Sequence, residues 1–170
     1  MQQGNFAKAV DDFDMGLKIA PKEVGIHVNR GFAHLGAGDY SKAAADFQLW
    51  ATAKPDHPYA ALWLHLAQAR AGEAPAPLAP AATKDWPAPV MDYFAGKLTR
   101  AQLDAEARDA GQRCDVAFYA GEKGLIDARP EDAARDIAQA LKICEGPTLE
   151  RAAALGEDRR LAKRAQLGGK

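Results

Sequence analysis

Small and aromatic residues recur along the first third of the chain at a fixed spacing. "GNFAKAVDDFDMGLKIAP" (Gly4–Pro21) returns thirty-four positions later as "GDYSKAAADFQLWATAKP" (Gly38–Pro55). Identical pairs at that spacing are Gly4/Gly38, Lys8/Lys42, Ala9/Ala43, Asp12/Asp46, Phe13/Phe47 and Pro21/Pro55, and Phe6/Tyr40 is a conservative pair. Within each copy the glycine suits a tight turn entering a helix. The alanine lets a partner helix come close, and the aromatic four residues on lies on the same helix face and fills the gap. Proline ends the helix because it cannot continue one. The spacing predicts paired helices that stack on their neighbours.

The same signals divide the rest of the chain. "PYAALWLHLAQARAG" from Pro58 reads as a further helix, and "EAPAPLAPAATKDWPAPV" follows it with five prolines. Composition makes that stretch a flexible linker, whereas Trp86 points to an ordered excursion pinned by a buried ring. A short helix in "VMDYFAGK" should turn at Gly96. A new start follows at Thr99, with Gln102 at capping-box spacing. Pro130, Glu131 and Asp132 suit the first turn of "PEDAARDIAQALKIC". Thr148 is expected to cap a last helix through about Leu161, beyond which "RAQLGGK" should fray.

Gly31, Gly38, Tyr40, Ala43, Phe47 and Pro55 in "VGIHVNRGFAHLGAGDYSKAAADFQLWATAKP" resemble the signature positions of the tetratricopeptide repeat (TPR) family. The resemblance implies an all-α fold, an α-α superhelix of stacked antiparallel helix pairs, with a Pro-rich excursion in its middle. Residues 1–72 would form the repeats, the first of them incomplete. Residues 73–89 would connect to a C-terminal helical part, 90–164, ending in a frayed tail, 165–170. Within that part "CDVAFYAGEKGLIDARPEDAARDIAQALKIC" (114–144) resembles a degenerate pair, with Gly121, Ala133 and Ala140 on its small-residue positions. The order of motifs is similar to bacterial TPR proteins of the NlpI type, whose members are largely exported or lipoprotein-anchored. That implies a periplasmic or exported protein if a signal segment precedes Met1, and a cytoplasmic one otherwise. Trp50 departs from the family, standing where it wants a small residue, and its ring is expected to push the next helix away. The first helix lacks its own partner, which should leave Phe6, Val10 and Phe13 partly bare and the helix frayed or covered by another molecule.

The family lines its concave surface from the first helix of each repeat. Carried over, the groove would comprise Val28, Asn29, Phe32 and Leu35, then Tyr59, Leu62, Leu66 and Arg70. Tyr59 and Trp63 stand where the family's carboxylate clamp needs cations, so an apolar or amphipathic segment of a protein partner is the expected occupant. The rival expectation is self-association, with the groove filled by the chain's own 73–98 segment and a homodimer as the assembly.

Charge and chemistry narrow this further. With 22 basic and 23 acidic residues and a net charge of −1, nothing supplies the basic face that nucleic acid requires. No apolar run approaches the roughly 18 residues of a membrane span. His27/His34 and His57/His65 lack metal-ligand spacing with a third donor nearby, so neither metal nor cofactor is expected. No nucleophile motif or phosphate loop is present, and no enzyme is expected. Cys114 and Cys144 lie fifteen residues either side of Arg129, where a turn between antiparallel helices should fall. That would make them neighbours, either as a disulfide or as two reduced thiols.

Overall fold

The computed structural model describes residues 5–78 and 84–168. Among them are nine helices and no strand. The chain divides into two compact units, Met1–Ala81 and Ala82–Lys170. The middle of the Pro-rich segment and the turn expected at Gly4 lie outside the described residues.

The first unit is a run of four fourteen-residue helices, α1 (Phe6–Ile19), α2 (Val24–Ala37), α3 (Tyr40–Ala53) and α4 (Pro58–Ala71), each packed on the next. Their ends follow local chemistry. The Asn5 side chain accepts from the Lys8 amide at 3.3 Å. Pro58 opens α4, where a missing N–H costs nothing. Gly38 closes α2 in the left-handed region at φ 88°, a conformation open to glycine without a Cβ penalty.

Glycine also sets how closely the helices approach. A Cβ on Gly31 would lie 2.8 Å from the Phe47 ring, so α2 and α3 meet at a distance only glycine permits. The Phe47 ring sits 4.9 Å from Phe32, and Phe32 sits 4.9 Å edge-on to Trp63. These three rings join α2, α3 and α4 in one buried core. α1 differs from expectation. Its Phe6 is buried, because the ring fills the space beside Gly36 of α2, while Val10 and Phe13 are half-buried. The exposed apolar side chains of α1 are Met15 and Ile19. Trp50 does not displace the next helix either, and α4 packs on α3. Its indole lies at the edge of the pair, half-buried, 6.4 Å from Phe32.

The second unit contains α5 (Ala88–Phe94), α6 (Arg100–Glu106), α7 (Ala110–Ile126), α8 (Pro130–Ile143) and α9 (Leu149–Gly168). Thr99 and Gln102 make the expected reciprocal capping box at the start of α6. α7 and α8 repeat the register of α2 and α3. A Cβ on Gly121 would lie 2.7 Å from Ile137, and one on Gly124 3.1 Å from Ala133. In both helix pairs the glycine precedes the large side chain it meets by sixteen positions (31 to 47, 121 to 137). Cys114 of α7 and Cys144 at the end of α8 are joined by a disulfide, with Cα atoms 4.9 Å apart.

Thr148 accepts from the Arg151 amide at 3.1 Å and starts α9. That helix runs to Gly168, past the expected end at Leu161 and through most of the tail expected to fray. "LAKRAQL" contains only good helix formers, and no glycine or proline lies between Glu157 and Leu167.

Candidate protein-interaction surface

The eight residues expected to line a groove fall into two groups. Phe32 is 4% exposed, and Leu35, Leu62 and Leu66 are fully buried, so these four are core. Large apolar side chains of this kind gain roughly 1.5–3 kcal/mol each by leaving water, which favours filling the first unit with them. Leu62, Trp63 and Leu64 are consecutive and all buried, so α4 is covered on more than one side. The other four remain accessible. Asn29 is exposed, and Val28, Tyr59 and Arg70 are half-buried. Arg70 is committed within the unit. Its guanidinium stands 4.5 Å above the Tyr40 ring, and its Nη2 donates to the Tyr40 hydroxyl.

Aromatic residues gather where α3 turns into α4. Trp50 lies in the last turn of α3, His57 caps α4, and Tyr59 is the second residue of that helix. The His57 ring is 5.0 Å from Trp50 and 6.2 Å from Tyr59, so the three form a continuous ladder. Trp50 and Tyr59 are half-buried and His57 is exposed, while Leu49 beside Trp50 is 46% exposed. The turn is short because the Lys54 carbonyl accepts from the His57 amide at 3.0 Å. Rings held this way are partly desolvated and pre-ordered, the state in which tryptophan and tyrosine anchor partners well. Of the three, sequence reading expected only Tyr59 to line a groove and gave Trp50 and His57 no such role. The available signal was two aromatic residues and a histidine flanking Pro55 within ten positions.

A second polar cluster ties α1, α2 and α3 together. Asp46, 2% exposed, accepts from Arg30 Nε at 2.9 Å and Nη2 at 2.7 Å, and its Oδ1 lies 3.0 Å from His27 Nδ1. Arg30 also donates to Asp14 at 2.7 Å. The Asp46 and Asp14 carboxylates raise the Arg30 pKa, so its charge is secure at any ordinary pH. His27 Nε2 faces the Pro21 carbonyl at 3.0 Å, which leaves neither ring nitrogen open to a substrate or metal. This cluster is architectural. Among the described residues no three His, Cys, Asp or Glu side chains converge as metal ligands.

Past Gly72 the chain turns back along α4. The Ala76 amide donates to Gln68 Oε1 at 2.8 Å, and His65 Nδ1 donates to the Ala76 carbonyl at 2.8 Å. Farther on, the Trp86 indole donates to Asp115 Oδ2 at 2.7 Å inside the second unit. Among the described residues no helix is long and apolar enough to cross a membrane. No protein-family model matches the chain.

Proposed function

We propose that this chain is a non-catalytic protein-interaction module of the TPR type, which binds an apolar or amphipathic segment of a partner protein at the Trp50–His57–Tyr59 edge. The ladder of three rings across the α3–α4 turn carries this reading. Trp50 is anchored from within against Phe32 and Phe47; it and Tyr59 are half-buried, and His57 is exposed. Support for the repeat assignment comes from the thirty-four-residue period and from the shared glycine register of the α2–α3 and α7–α8 pairs. The disulfide accords with an oxidising compartment.

A photo-crosslinking residue at position 59 tests this. Partner protein should be trapped there, and competition with Tyr59→Ala protein should be weaker than with wild type by about 2 kcal/mol, or some thirtyfold. Equal competition by the variant, with its thermal midpoint unchanged, would remove this edge as the binding surface. The rival reading is a self-associating module closed by its own connecting segment. One observation favours it, namely that Ala76 is bonded to both His65 and Gln68. A mass that rises with concentration in a dilution series, with no heterologous crosslink, would decide for it.

A further inference from the structure

α1 and α3 carry the same three residues on one face, and in α3 that face is filled. Ala43, Asp46 and Phe47 of α3 are 0%, 2% and 0% exposed, with α2 packed against them. Arg30 of α2 donates to Asp46 through Nε at 2.9 Å and Nη2 at 2.7 Å, and His27 Nδ1 lies 3.0 Å from the same carboxylate. Gly31, next to Arg30, leaves room for the Phe47 ring, which a Cβ would meet at 2.8 Å. Thirty-four positions earlier α1 presents the identical residues, Ala9, Asp12 and Phe13. Their surroundings differ. Ala9 and Phe13 are half-buried, and Asp12 is exposed. α1 meets α2 through another side, with Phe6 against Gly36 and Asp14 on Arg30. That side corresponds to the one by which α3 meets α4, where Tyr40, the counterpart of Phe6, stacks under Arg70.

We propose that Ala9, Asp12 and Phe13 form a docking face for a helix of a partner protein that carries the α2 pattern His-x-x-Arg-Gly. The α2–α3 contact is the template for that occupant. Phe13 takes a residue without a Cβ, as Phe47 takes Gly31. Asp12 takes a guanidinium and an imidazole, one and four positions before that glycine, as Asp46 takes Arg30 and His27. Residues so spaced share one helix face. A purely apolar helix would bury the Asp12 carboxylate unpaired, which is unfavourable, whereas charged donors satisfy it. Charge complementarity therefore selects a basic helix. A second copy of this chain does not supply one. Arg30–Gly31 is its one Arg-Gly pair and is already engaged with α3. Two α1 faces laid together would bring one Asp12 carboxylate to the other, and like charges oppose that pairing.

The probe is a peptide with the sequence of residues 23–38, "EVGIHVNRGFAHLGAG". A staple between positions 25 and 29, on the side away from His27, Arg30 and Gly31, holds it helical. Titrated into the intact chain, it should bind saturably in the micromolar range and slow amide exchange in α1 while leaving α3 unchanged. Asp12 is exposed, so Asp12→Asn leaves the fold intact. That variant should bind the peptide about thirtyfold more weakly, as should the wild-type chain with Arg30→Gln in the peptide. Gly31→Leu in the peptide should abolish binding. Tyr59→Ala in the chain should change nothing, which keeps this test separate from that of the Trp50–His57–Tyr59 edge. No saturation at millimolar peptide, binding indifferent to Asp12→Asn, or protection on α3 in place of α1 would each overturn the proposal. So would an α1 face already protected in the free chain at the mass of two copies, which would assign it to self-association.

Discussion

Gly31 lies directly against the ring of Phe47, closer than any side chain could. The contact sets the separation of α2 and α3, and through Phe47 the position of Trp63 on α4. Gly31→Ala must therefore push against a ring held on its other sides by Phe32 and Trp63. Overpacking of that kind costs about 1–3 kcal/mol. The expected result in urea unfolding is a lower midpoint for the first unit, with an unchanged m-value. Pairing Gly31→Ala with Phe47→Leu, which makes room, should recover part of the loss. No recovery in the double variant would show that the glycine matters for another reason.

The Arg30 cluster separates a buried ion pair from an exposed one on the same guanidinium. The Asp46 side chain is 3% exposed and that of Asp14 is 48% exposed. Removing the buried partner strands the Arg30 charge, at a cost on the order of 3 kcal/mol. Removing the exposed one should cost less than about 1 kcal/mol. Asp46→Asn is thus expected to lower the thermal midpoint of the first unit several times more than Asp14→Asn. Equal effects would mean that solvent reaches both pairs alike.

The Cys114–Cys144 disulfide closes a loop with a sequence separation of 30 around the α7–α8 turn. Loop closure of that size is worth roughly 3–4 kcal/mol in the chain-entropy account. Reduction, or replacement of both cysteines by alanine, should lower the stability of the second unit by that order and leave the first unit unchanged. Differential exchange on α8 and on α2 is the measurement. A loss confined to a few tenths of a kcal/mol would assign stability there to the Gly121–Ile137 packing instead.

The helix pairs were legible because a thirty-four-residue period and a fixed glycine-to-large-residue offset are backbone requirements, and such requirements stay visible in sequence. The surface was less so. Family positions assign Phe32 and Leu66 to a helix face, but whether a face is open depends on what packs beside it. Both side chains are core here. The Trp50–His57–Tyr59 ladder bridges two helices across a turn, and no single helix pattern encodes it.

His34 should make the first unit lose stability in acid. It sits in the last turn of α2, 6% exposed, with Nδ1 3.5 Å from the Asp39 carboxylate. Burial lowers its pKa below the usual 6.5. Asp46 and Asp39 pull it up, and Lys42 and Arg30 add to the lowering. A base whose pKa is depressed by folding contributes stability above its unfolded pKa, and that contribution is lost as pH falls through the folded value. The first unit should therefore weaken from about pH 6.5 downward. The informative comparison is wild type against His34→Gln, in which the amide keeps a polar group but cannot take up a proton. Helices α2 and α3 of the wild type should lose exchange protection relative to the variant as pH is lowered from 7 to 5. A constant difference between wild type and variant across that range would show that His34 does not carry the acid sensitivity of this unit.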